Sequence, residues 1–173
     1  MRLQSELRNG TAVRMNAGAA SPLVLVIGAL LLATGCGATS ATSPTGASES
    51  ATANLAFCVN ESNRARATLA LAPLVESVAL ESFAAAGAQA DHESSLAHGH
   101  FESHVDGTAF AENEQLRWSK SGAVQQLMKD GISGYLAEGP VGGHYQNLMG
   151  PYTELGCGVY TNGNLITIVQ DFR

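Results

Sequence analysis

Basic residues are scarce in this chain, and nothing gathers them. Nine Lys and Arg stand against fifteen Asp and Glu in 173 residues, a formal charge of −6. Proteins that grip phosphate backbones do so with clustered Lys and Arg. Here Arg64, Arg66, Arg117, Lys120, Lys129 and Arg173 are scattered along the domain. That argues against nucleic acid, or an anionic membrane face, as a partner of its surface. Also missing are a phosphate loop, a dinucleotide fingerprint, a serine or cysteine nucleophile elbow and any internal repeat. Cysteine is sparse, at three, and there is one long apolar run.

That run, "LVLVIGALLLA" at 23–33, follows a leader carrying Arg2, Arg8 and Arg14. Eleven apolar positions match the core of an export signal and are short for a bilayer span. The next residues, "LLATGC", end on Cys36 and resemble the lipobox of bacterial lipoproteins, with Ala33 where Leu is commoner. The resemblance implies that residues 1–35 are removed, that Cys36 is acylated, and that the protein is anchored at the cell envelope, on the outer membrane or cell surface. The alternative is ordinary cleavage near Ala33 or Ala38. Removing 1–35 takes away three Arg and Glu6, so the formal charge becomes −8. Residues 36–54 are almost wholly Gly, Ala, Ser, Thr and Pro, too polar to repay ordering, and are expected to be a flexible tether.

With Cys36 lipidated, Cys58 and Cys157 are left as an even pair in an oxidising compartment and are expected to bond. Two separate buried thiols are the other reading. Residues 55–173 suffice for one domain with its own core. Helices are expected near 56–71, before Pro73, over 77–97, and over 121–138. The stretch 98–112 reads as mostly loop, and 139–151 as loop or a short helical turn. "ELGCGVY" and "NLITIVQDF" around "TNGN" give a hairpin signal, centred on Asn162-Gly163. Helices first and a hairpin last make the class α+β.

The irregular segments hold His98, His100, His104, Glu112, Glu138 and His144. Imidazoles and carboxylates arriving from separate segments can converge on one cation or one water. Spacing alone leaves this open against a set of ordinary hydrogen-bonded surface groups.

"AENE" (111–114), "YLAE" (135–138), "GGHYQNLMGPYTELGCGVY" (142–160) and "ITIVQDF" resemble, in order and spacing, the CAP superfamily, also called SCP-like. "CVNESNRAR", with Asn63 and Arg66, resembles its first helix. The resemblance implies a three-layer α–β–α sandwich around a small antiparallel sheet. It also implies a cleft with two histidines and two glutamates that holds a divalent metal, Zn or Mg, in several members. Carried over by motif, Glu112, Glu138 and His144 are three of the four. The first histidine is expected to be His104, eight residues before Glu112, with His100 second; His92 and His98 are expected to stay on the surface. Tyr145 and Leu148 are expected to pack beneath His144.

Three functions follow from the resemblance. One is a lipid-tethered module binding a metal, a small molecule, a lipid or a protein. Another is a metal-assisted hydrolase with Glu112 or Glu138 as general base. The third is a structural envelope protein with a vestigial cleft.

Overall fold

A computed structural model describes residues 45–173 except Val105, with side chains from residue 51 onward. Residues 1–35, expected to be a signal segment, and Cys36 lie outside the described residues. Helix α1 spans Thr45–Ala67 and is followed by strand β1, Val75–Glu76. Helix α2 (Val78–Ser94) and the short α3 (Gly99–Ser103) come next, then β2 (Ala111–Ser119). Helices α4 (Val124–Ala137) and α5 (Gly143–Leu148) precede the closing hairpin, β3 (Glu154–Asn162) and β4 (Leu165–Phe172).

Three elements differ from expectation, and one is α3 (Gly99–Ser103), which lies in the stretch read as mostly loop. The stretch read as tether is helical from Thr45. Leu55 and Phe57 pack on the core and Cys58 is buried, so a helix is already nucleated there. Extending it backward through Ala47, Ala51 and Ala53 adds one backbone bond per residue without a new nucleus. The third is β2, which the sequence reading left unassigned. "AENEQLRWS" has no apolar alternation because Glu112, Asn113, Glu114 and Gln115 are all buried polar residues.

The strands form one sheet in the order β1-β3-β4-β2. β2, β3 and β4 are antiparallel neighbours, whereas the two-residue β1 runs parallel to β3. The sheet is therefore mixed at one edge. Hairpin pairing Asn162↔Leu165 makes Gly163-Asn164 the two-residue turn, one position beyond the expected pair. Gly163 takes φ 59° and Asn164 does not join it at positive φ, the pattern of a turn with glycine in its first central position.

Layers lie on both faces. On one, α1, α4 and α5 bury Leu127, Met128, Ile132 and Leu148 against Leu155, Cys157, Ile166, Ile168 and Phe172. A disulfide joins Cys58 of α1 to Cys157 of β3, 99 residues apart. On the other, Ala84 and Ala88 of α2 pack on Val169. A Cβ added at Gly158 would land on the backbone of Ala84, so α2 rests directly on β3. The arrangement is an α–β–α sandwich.

Two polar anchors tie α1 to the site. Buried Arg66 donates to the carbonyls of Leu148 and Gly150, at 2.9 and 2.8 Å, which fixes the end of α5. Asn63 bonds both backbone groups of Leu74, fixing the entry to β1.

Candidate functional site

Each of the two glutamates carried over by motif holds a histidine. Glu112 is the second residue of β2 and is 4% exposed. Its Oε1 lies 2.7 Å from His98 Nδ1. Glu138 caps α4, and its Oε1 lies 2.5 Å from His144 Nδ1 on α5. Glu138 Oε2 also accepts the backbone N–H of His144. Gly142 makes this embrace fit, since a Cβ there would occupy the place of the Glu138 carboxylate.

The His144 ring stacks on Tyr135, with centroids 4.7 Å apart and planes 22° apart. Tyr135, not Tyr145, is therefore the platform beneath it; Leu148, also expected beneath the ring, is buried in the core. The His98 and His144 rings face one another at 6.5 Å between centroids. Both nitrogens engaged by glutamate are Nδ1, which leaves each Nε2 as the other ring nitrogen.

His98 replaces His104 and His100 as the first cleft histidine. The turn after α2 explains why. Ser95 and His98 both adopt left-handed backbone, φ 60° and 59°, which reverses the chain and turns the His98 side chain back onto β2. Glu114 Oε2 accepts the His98 backbone N–H at 2.7 Å and locks the turn. His100 and His104 instead stack on each other, 4.2 Å between centroids, and both rings contact Phe83 of α2. Sequence distance to Glu112 favoured His104, but a short helix, α3, separates the two positions and points them differently. His92, expected on the surface, is 2% exposed and bonds Thr167 Oγ1 through Nδ1.

Two asparagines hold the cleft together. Asn147 of α5 donates to the Glu112 carbonyl and to Asn113 Oδ1, at 2.9 and 3.1 Å. Asn113 in turn donates to the His144 carbonyl. Both lie inside the quoted motifs, but only the fold shows that they pin α5 to β2. Beside them, His98, Phe101, Glu102, Phe110, Ala111, Glu112, Asn147 and Tyr152 line an open pocket of about 290 Å³.

The electrostatics differ between the two pairs. The hydrogen bond to Glu112 raises the pKa of His98. Burial raises that of Glu112, against the pull of His98. His144 lowers the pKa of the more exposed Glu138. Burial pushes Glu114 up to about 7. His98, Glu112 and Glu114 each bring a ligand atom within 4.8 Å of the others, a group that can hold a metal ion.

The model of the CAP family, described as the cysteine-rich secretory protein family, matches residues 59–172. Among solved structures, one similar chain is a cysteine-rich secretory protein from Staphylococcus aureus, at 15% identity and TM-score 0.47. The match covers 70% of this chain and 39% of the staphylococcal one, so the chain spans well under half of that protein's length. No curated protein matches the chain.

Proposed function

The chain belongs to the cysteine-rich secretory protein family, and from that premise we propose that it is a lipid-anchored envelope protein whose cleft binds a divalent cation and, beside it, a small ligand or partner. The family and the disulfide point to an exported protein. Anchoring through Cys36 would add stable membrane attachment, since several acyl chains exceed the marginal hold of one.

The observation that carries the cation reading is the pair of glutamate–histidine arms. A carboxylate on Nδ1 fixes ring orientation and raises the basicity of Nε2. With metal–nitrogen bonds of ~2.1 Å, and imidazole nitrogens about 1.1 Å from their ring centre, two rings on a tetrahedral ion sit about 5.2 Å apart. The His98–His144 separation of 6.5 Å is wider by about 1.3 Å, so the rings have to close on an ion by that amount. His98 and His144 would hold the ion, and Glu112 and Glu138 would orient them. When bound, the cation supplies a Lewis-acidic centre with positions open to water or ligand.

Binding is favoured over hydrolysis by the same bonds. Glu138 spends both oxygens on His144, and Glu112 has one on His98 and the other buried. Neither presents a free oxygen to act as general base on a water in the pocket. The pocket itself, with Phe101, Phe110 and Tyr152 around Asn147 and Glu102, suits a ligand with an apolar body and a polar end.

Titration calorimetry with Zn²⁺ tests the reading. His144→Ala and His98→Ala should each abolish binding, and His104→Ala should leave it unchanged. Unaltered Zn²⁺ affinity in both cleft variants would overturn the cation site. For the anchor, Cys36→Ala should move the protein from the detergent phase to the aqueous one.

A further inference from the structure

Behind the imidazoles, between the sheet and α2, lies a group of side chains that the cleft reading leaves out. Glu112 and Glu114 of β2 point to the same face of the sheet, two residues apart. Asp171 of β4 is directly paired with Glu112 across the strands. Asp91 of α2 closes the group from above. Asp171, Asp91, Glu112 and Glu114 are 0, 1, 4 and 7% exposed.

Five of their eight oxygens are buried without a protein partner: Asp91 Oδ2, Glu112 Oε2, Glu114 Oε1 and both oxygens of Asp171. The other three accept from His100 N, His98 Nδ1 and His98 N. Asp171 is the telling member. It is fully buried and unpartnered, and the charged groups acting on it are Glu112, Asp91 and Glu114. Like charges directly opposite one another on neighbouring strands destabilise a sheet, and unpaired buried carboxylates cost more still. Elsewhere among the described residues most buried polar side chains are paired, as with Gln170 on Ser62 and Arg66 on its carbonyls, and Glu81 Oε1, His100 Nδ1 and Gln115 Oε1 are single exceptions outside the group.

We propose that Glu112, Glu114 and Asp171, with Asp91 above them, form a second cation site, lined mainly by oxygen, that lies behind the paired imidazoles of the cleft and borders them at His98 and Glu112. Carboxylate oxygens with at most one imidazole favour a hard divalent ion of the manganese or magnesium type over a thiophilic one. The positive charge offsets the crowded carboxylates, and the unpartnered oxygens supply the ligands. Three of the contributing groups, His98, Glu112 and Glu114, already stand within 4.8 Å of one another through one atom each. Asp171, paired with Glu112 on the adjacent strand, lies outside that 4.8 Å group and would turn its unpartnered carboxylate onto the ion. Access runs past His98, which lines the open pocket on its outer side.

Mn²⁺ is the probe, with free ion counted by electron paramagnetic resonance and the full-length protein melted with Mn²⁺ and with chelator. Saturating Mn²⁺ should raise the melting temperature by about 5–10 °C relative to chelator. Asp171→Asn and Glu114→Gln preserve shape and should each weaken Mn²⁺ binding at least tenfold. Asp171→Asn should leave Zn²⁺ affinity at the imidazole pair unchanged. His144→Ala should do the reverse, losing Zn²⁺ and keeping Mn²⁺, so the two sites can fail separately. The inference is overturned if the melting temperature of wild-type protein ignores Mn²⁺ and rises only with acid, for the carboxylates are then relieved by shared protons. It is equally overturned if Asp171→Asn and Glu114→Gln bind Mn²⁺ as wild type does.

Discussion

On the α1–α4 side of the sheet, Leu155, Cys157, Ile166, Ile168 and Phe172 meet a thick apolar layer, and the disulfide crosses it. On the α2 side, three buried apolar residues form the core cluster, and around it lie Leu80, His92 and Thr167, small residues and carboxylates. Polar groups on the first side are mostly paired, with Gln115 Oε1 the exception; those on the second are left with open oxygens. Stability and chemistry have been allotted to opposite faces of the same four strands. An apolar face tolerates no unpaired charge, so a site rich in carboxylates has to lie where the covering helix is lean and close.

The comparison is broken most severely at the staple. Converting Cys58 and Cys157 together to Ser should cost about 4–5 kcal/mol in urea denaturation, because a loop of this length gains most from closure. A loss under about 1 kcal/mol would mean that the apolar layer alone holds α1 on the sheet. Next comes the seam on the other face. Gly158→Ala places a Cβ in the backbone of Ala84 and should cost about 1–3 kcal/mol by overpacking. On the apolar face Ile168→Val removes one methyl and should cost about 1 kcal/mol. If it proves the more damaging of the two, α2 is free to shift and the seam is not close-packed.

The smallest effect is expected at the edge of the α2 layer. Burial, with Glu76 beside it, raises the Glu81 pKa from the ordinary carboxylate range to about 7. A raised carboxyl pKa favours the protonated fold, so this contribution is complete below about pH 4.5 and is lost as pH rises toward 7. Glu81→Gln should therefore narrow the difference in melting temperature between pH 5 and pH 8. An unchanged difference would show that Glu81 is solvated.

Much of the site was legible because motifs name residue types in order. Glu112, Glu138 and His144 were named by those motifs, although the histidine bonded to Glu112 is His98 and not the one expected, and "NLITIVQDF" reads as a strand because its buried positions are β-branched. The failures share a cause. β2 was missed because its inward residues are polar, and hydrophobic periodicity cannot register a strand whose core side holds Glu112 and Glu114. His98 was passed over for His104 because spacing along the chain says nothing about a reversal at two left-handed residues.

The sequence by itself determined α2, α4 and the body of α1, the closing hairpin, the class and the family, since these follow from local periodicity, turn chemistry and motif order. Tertiary structure decided which histidine enters the cleft, which ring lies beneath His144, and that Asp91, Glu114 and Asp171 gather behind it. Those facts depend on how α2 and α5 are seated against β2 and β4. Seating is set by long-range contacts such as Arg66 to the α5 carbonyls and Gly158 under Ala84, and no local window of sequence contains both partners.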